Sequence, residues 1–359
     1  MKRLVWVRTS PPDVPGSMSA YGDLVCMAMA PVPADWTVAT CDLFDPHGGS
    51  AMWKHHVWRM RNARRALAGR PADLYHWLDA SMAAFIPAGY LSRSVATVHD
   101  LIPLLQRRGE LPGRPSWPAA WLIRRGVDAL RGCAALCADS AATKADLARL
   151  AGIAARIAVV PVPLRPLPPP RPAAIAGLAS GDRFILHVGH NAAYKNRAGV
   201  LDVFAQLRDV PDVHLVMVGP APAPELRARA GALANVHFAG PVDDAALHDL
   251  YRRAALFLFP SLYEGYGMPV LEAMATGCPV VCSTAPALVE VAGEAALTAP
   301  AADPAALAAQ CRTLLADDSL RRRLIAAGQA RAAGFDVAAM GRSLMEWYEN
   351  ALKHKESHG

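Results

Sequence analysis

At 359 residues the chain is too long for one ordinary core and suits two domains of about 150–180 residues each. Although 53% of it is apolar, no apolar run nears the eighteen or so residues of a membrane-spanning helix. The formal charge of +6 comes without a helix-turn-helix, finger or aromatic-basic signature, so no nucleic-acid partner is expected.

The start, "MKRLVWVRTSPPD", reads as a first strand and not a leader, so a cytoplasmic protein is expected. Further strands are expected at "WTVAT", "DLYHWL", "SVATVHD", "AALCADS" and "IAVVPV", then at "FILHVGH", "VHLVMVG", "VHFAG", "LFLFPS" and "PVVCS", with helical segments between them. This alternation, occurring twice, predicts an α/β protein of two Rossmann-like, doubly wound parallel-sheet domains. They are expected at 1–165 and 183–340, joined by a proline-rich linker at 166–182, with 341–359 a helix and tail packing back on the first domain. The cysteine spacings, C-x3-C at Cys133/Cys137 and Cys278/Cys282, fit no zinc site and suggest buried thiols in a reducing compartment. Open α/β sheets bind ligands beyond the carboxyl ends of their strands, so the chemistry is expected in a cleft where those ends face.

Three loops at strand ends carry it. In "FPSLYEGYGMPVLEAMATGCPVVCS", 259–283, a buried strand leads into a loop with Gly265 and Gly267, then a helix with Pro269 in its first turn. At about 100° per residue Val270, Ala273 and Met274 share a buried face and Glu272 points away from it. The helix N-terminus suits a phosphate, but Glu264 and Glu272 would repel one. Two acids around an anion site make sense for a ligand that also carries vicinal hydroxyls, and a nucleotide sugar has them on both sides of a diphosphate. The second loop, in "FILHVGHNAAYKNRAGVL", ends a strand at Gly189 and puts Lys195 at a helix start. The third, "SVATVHDLIPLL", sets His99 and Asp100 just beyond a strand.

The run P-S-L-Y-E-G-Y-G-M-P-V-L-E-A-M-A-x-G-x-P-V-V resembles the E-x7-E motif of family 4 retaining glycosyltransferases with the GT-B fold. "T-V-H-D-L-I-P", "Y-K-N" and "S-A-A-T-K-A-D-L" resemble segments of the same family, bacterial mannosyl- and rhamnosyltransferases of polysaccharide assembly among them. The resemblance is strong over 182–340, moderate over 72–165 and weak before. It implies Glu264 on the donor sugar, Glu272 on the ribose, and the backbone from Gly265 and Tyr266 through Gly267, Met268, Pro269 and Val270 near the diphosphate. It also implies Lys195 on the diphosphate, with Gly189 and Asn196 beside it, and a nucleobase resting near Gly240 to Val242.

The family's usual loop arginine is missing, and His190 and Arg197 are the candidates to replace it. On the acceptor side the resemblance implies His99 at the reacting centre with Asp100 to orient it, and Gly16 as the remnant of a glycine-rich loop. With no D-x-D at a strand end, no metal and no cofactor are expected. Donor charge would then be met by Lys195 and a helix N-terminus. The reading is a retaining hexosyltransferase taking a nucleotide-diphosphate sugar, GDP-mannose first, to a glycan or lipid-linked glycan. A sugar-nucleotide epimerase and a catalytically silent subunit are the alternatives, while a Rossmann oxidoreductase lacks its G-x-G-x-x-G.

Residues 50–131 hold thirteen Lys and Arg against five acids, interleaved with Trp53, Trp58, Trp117 and Trp121. That composition suggests peripheral contact with an anionic membrane, at the cytoplasmic face of the inner membrane, through Arg59, Arg61, Arg64 and Arg65 among others.

Overall fold

The computed structural model describes residues 1–10, 17–45, 52–179 and 181–356. The first sheet has β1 (Lys2–Arg8), β2 (Trp36–Asp42), β3 (Leu74–Trp77), β4 (Ser94–Val98), β5 (Ala135–Ala138) and β6 (Ile157–Val159), in the order β2-β1-β3-β4-β5-β6. The second has β7 (Arg183–Val188), β8 (Val213–Val218), β9 (Val236–Gly240), β10 (Leu256–Phe259), β11 (Val280–Ser283) and β12 (Ala296–Ala299), in the order β12-β11-β10-β7-β8-β9. All pairings are parallel. Parallel strands covered by helices on both faces must be apolar throughout, and β4, β5, β10 and β11 are buried along their whole length. Of the twelve, only β12, "ALTA", falls outside the strands expected from sequence.

The chain divides into two compact units, one of Met1–Glu110, Arg114–Pro163 and Asp336–Gly359, the other of Leu111–Gly113 and Leu164–Phe335. In each sheet the chain begins at an interior strand, moves to one side, then returns to the other. β1 thus lies between β2 and β3, and β7 between β8 and β10. Loops leaving the two strands at such a reversal diverge to opposite faces and open a crevice above the sheet.

The proline-rich stretch beyond Pro163 is part of the second unit. The Arg171 amide donates to Ala245 O at 3.0 Å and the Ala173 amide to Asp249 Oδ2 at 3.0 Å, which hold it along the helix Asp244–Arg253. Six of the seven free cysteines are buried and Cys26 is half-buried. Among the described residues no helix is long and apolar enough to cross a membrane.

One expectation fails in the helix Met52–Ala68. Arg59 is buried, donating through Nε to Leu43 O at 2.7 Å and through Nη2 to Thr9 O, so it ties strand ends together and cannot meet a lipid. Burial lowers its guanidinium to about 10.

The helix Val337–Glu356 returns to the first unit, where Leu344, Trp347 and Tyr348 are buried and the Tyr348 hydroxyl meets His76 Nδ1 at 2.7 Å. It packs against the helix Ser17–Ala28 at Gly341, where a Cβ would lie 2.1 Å from Ala28 O. Gly341→Ala must therefore push the two helices apart. The expected loss is about 1–3 kcal/mol, the usual range for overpacking, seen as a lower unfolding temperature of the first unit; an unchanged temperature would count against this contact.

Candidate functional site

In the second unit the strand-order reversal falls between β7 and β10, and the two loops that leave there meet. Leu262 N donates to Tyr194 O at 2.7 Å and Asn196 Nδ2 to Pro260 O at 3.0 Å. Between these ties Lys195 Nζ donates to both oxygens of Glu264, at 2.8 and 2.9 Å, with side chains only 13% and 9% exposed. The residues expected on the diphosphate and on the donor sugar thus form a buried, two-pronged ion pair.

Lys195 was expected in the first turn of a helix, but it closes the short 3-10 turn Ala193–Lys195 ahead of it. Asn196, at φ 54°, is the N-cap of Arg197–Ala205, its Oδ1 accepting from Gly199 N at 3.1 Å. Of the two substitutes for the loop arginine, Arg197 is buried and donates through Nη1 to Asn191 Oδ1 and to Pro220 O, both neutral, while its Nε is buried without a hydrogen-bond partner. His190 is exposed and bonded to Tyr194 Oη at 3.2 Å. Burial and the neighbouring Lys195 lower its pKa, which leaves it neutral near pH 7. The loop depends on a close approach behind it, since a Cβ on Gly219, at φ 140°, would sit 2.2 Å from Gly189 O.

Beyond Glu264 the chain passes Gly265 and Tyr266, both buried, into the helix Met268–Ala275. Of the two glycines only Gly267 adopts positive φ, at 120°, and as N-cap it gives the helix no capping side chain. Pro269 lies in the first turn and brings no N–H, and Val270 is fully buried, its amide donating to Gly267 O at 3.0 Å, so the turn presents the positive end of the helix dipole more than a row of free amides. Glu272 is half-buried, off the face that Val270, Ala273 and Met274 share, and accepts from the buried Tyr251 Oη at 3.3 Å. Burial raises its carboxyl to about 7 against the pull of the Arg165 guanidinium. Gly240, at φ 70°, ends β9 and Val242 follows it half-buried, both at the carboxyl edge of the same sheet.

In the first unit His99 follows β4. Its Nδ1 meets Asp139 Oδ2 at 2.6 Å and its Nε2 meets Leu78 O at 2.8 Å, while Tyr21 packs edge-on at 4.6 Å. Asp139, not Asp100, orients the ring. Successive residues leaving a strand point to opposite sides, and Asp100 Oδ1 instead accepts from Ile102 N at 3.0 Å. Asp139 went unassigned in the sequence, although it follows β5, the neighbour of β4, directly ahead of the Ser140 cap. Gly16 lies outside the described residues. Among the described residues, no group of three or more His, Cys, Asp or Glu could hold a metal ion.

Residues 39–164 match the family described as Glycosyltransferase Family 4, and residues 173–331 the one described as Glycosyl transferases group 1. With the two parallel sheets and the site at their strand ends, the chain belongs to the family 4 glycosyltransferases of the GT-B fold. O-antigen chain mannosyltransferase B of Escherichia coli is 45% identical over 100 residues, 28% of this chain and 26% of that one. Phosphatidyl-myo-inositol mannosyltransferase of Mycobacterium leprae is 34% identical over 181 residues, 49% of this chain and 48% of that one. The matches thus span about half or less of these curated relatives' length. Among solved structures, sucrose-phosphate synthase from Thermosynechococcus elongatus aligns with a TM-score of 0.79 at 20% identity, covering 97% of this chain and 98% of that one. Anabaena HepE in complex with UDP and glucose aligns at 0.75 and 18%, covering 97% and 100%. At such identities the likeness is one of fold.

Burial opposes charge on His99, but the Asp139 carboxylate and the Leu78 carbonyl outweigh it and raise the imidazole to about 9. The ring is therefore an imidazolium at neutral pH, with both N–H groups spent within the chain. A histidine raised on folding contributes stability that is complete below its ordinary pKa of about 6.5 and lost as the pH climbs through the raised value. Unfolding temperatures of the parent and of Asp139→Asn, followed upward from about pH 6 to 9.5, should therefore converge. A constant gap would mean that His99 carries no charge.

Proposed function

We propose that this chain is a retaining hexosyltransferase that moves a sugar from a nucleotide-diphosphate donor, GDP-mannose first, to a glycan or lipid-linked glycan in cell-surface polysaccharide synthesis. The observation that carries the reading is the Lys195–Glu264 pair at the strand reversal, with Glu272 eight residues beyond Glu264 on an adjoining helix. The mannosyltransferase names of the sequence relatives favour mannose, and a structural neighbour solved with UDP and glucose keeps UDP-sugars in the comparison.

In this reading the donor diphosphate displaces Glu264 from Lys195, and the released carboxylate accepts from a hydroxyl of the donor sugar. Glu272 takes the ribose diol. As the glycosidic bond breaks, charge grows on the leaving phosphate, where Lys195 and the positive N-terminal end of Met268–Ala275 meet it. The leaving phosphate takes the proton of the acceptor hydroxyl on the same face, so the anomeric configuration is kept. His99 supplies fixed positive charge and a shaped wall; with both nitrogens committed, it removes no proton.

Thermal shifts with GDP, UDP, TDP and ADP should single out one nucleotide, because a ligand bound only by the native state stabilises it. Glu264→Gln should keep that shift and lose most transfer, whereas Glu272→Ala should weaken the nucleotide by about 1–3 kcal/mol. A diol is bound by the ionised acid, so nucleotide affinity should rise as the pH passes upward through about 7, and Glu272→Ala should flatten the rise. Nucleotide binding abolished by Glu264→Gln, with transfer unchanged, would reverse the roles of the two acids.

The reading extends to peripheral contact with an anionic membrane. Trp53, Trp117 and Trp121 are 66%, 82% and 48% exposed, among the exposed Lys54, Arg61, Arg64, Arg65, Arg124 and Arg125. Each basic residue near such a surface contributes about 1 kcal/mol, less in salt. Co-sedimentation should be stronger with anionic than with neutral vesicles and fall in a variant with Arg61, Arg64 and Arg65 replaced by Gln. Equal recovery with both vesicles would point to a soluble acceptor.

A further inference from the structure

The first unit holds a cavity of about 550 Å3 that the site above touches only through His99 and Asp100. Its polar lining enters largely from segments that follow β3 and β4, as Asp79, Ser81, His99 and Asp100. Most of the remaining wall is apolar, with Phe85, Leu104, Leu122, Ile123, Val127 and Leu130 as its larger side chains. His56 also lines it, stacked on Phe85 at 5.3 Å, with a buried Nε2 that has no hydrogen-bond partner. A buried ring nitrogen without a partner is uncommon, and a ligand hydroxyl would satisfy it.

The lining sorts the possible occupants. Two carboxylates beside one imidazolium give a phosphate no net attraction, whereas sugar hydroxyls can donate to Asp79 and Asp100. The apolar wall gains only from hydrocarbon. One helix joins this cavity to the exposed aromatic face: Trp117–Gly132 turns Leu122, Ile123 and Val127 to the cavity and leaves Trp117, Trp121 and Arg124 exposed.

We infer that this cavity binds an apolar chain attached within one or two sugar units of the hydroxyl that is glycosylated. The acceptor is then a short-headed glycolipid and not the far end of a long glycan. The transfer is an early one, following the reaction class that places the first sugar on a lipid. This rests on the proposed glycosyl transfer, which sets His99 at the reacting centre, because a wall of the same cavity cannot be many sugars away from it.

Binding of methyl, hexyl and octyl mannosides, each below its micelle concentration, is measured by thermal shift on the parent, Ala119→Phe and Leu122→Asn. The same glycosides, geranyl mannoside and a free mannan oligosaccharide are assayed as acceptors with the donor chosen by the nucleotide screen. Affinity in the parent should rise roughly tenfold for each two methylenes added. Both variants should lose that dependence while keeping the parent's nucleotide shift. Geranyl and octyl mannosides reacting alike would support a site for any apolar chain, and a preference for one would support the same site and name the lipid class. Equal affinity at all chain lengths, or an unchanged dependence in both variants, overturns the inference. So does transfer to the oligosaccharide and methyl mannoside as good as to octyl mannoside, which would leave the proposed function standing. Absence of transfer from every donor would refute the proposed function instead, and the binding series still decides on the cavity.

Discussion

A lysine and a glutamate, both close to nine-tenths buried, face each other where the strand order reverses, and the rest of the second unit serves to keep them there. Taking two charges out of water is costly, and removing one partner of such a pair costs more than the pair itself contributes. The neighbouring features follow from that constraint: Asn196 fastens one loop to the other, Gly219 lets Gly189 approach, and Gly267 turns the chain sharply after Glu264. A ligand that draws the ammonium away from Glu264 must return negative charge to it. That requirement favours a diphosphate over a neutral sugar before any hydroxyl is read.

The first unit uses a charged pair differently. His99 and Asp139 stand at the ends of adjacent strands, and the second ring nitrogen is fixed by Leu78 O, so neither partner is free to be exchanged. In the proposed reading, one site has a pair that the donor opens, and the other has a pair that stays fixed while the acceptor packs beside it. The cavity next to the fixed pair is walled mostly by apolar side chains, among them Phe85, Leu122 and Ile123, which fits that division.

What could be read in the sequence was whatever local pattern determines. Runs such as "LFLF" and "VVCS" announce buried parallel strands, and the spacing of Glu264 and Glu272 along a loop and a helix is a local matter. β12 escaped because "ALTA" has one β-branched residue and needs β11 beside it to become a strand. Asp139 escaped because its partner lies forty residues earlier and is met only through the pairing of β4 with β5. Arg59 misled because its helix is rich in arginine. The i, i+4 series His55, Arg59, Ala63 and Leu67 is in fact the buried stripe, its first two members disguised as surface by their polarity. The cavity was illegible for a related reason, since it is framed by helices whose alanines and leucines look like ordinary core.

The return of Val337–Glu356 to the first unit has a consequence for how the protein is made. Residues 1–163 lack the helix that covers His76 until Asp336 and its successors leave the ribosome, after the whole second unit has been synthesised. At 5–20 residues per second that delay is on the order of ten to thirty seconds. Throughout it, the surface destined for Leu344, Trp347 and Tyr348 is open to solvent. The second unit, nearly contiguous, can close first, so the early half of the chain is the last to complete its packing.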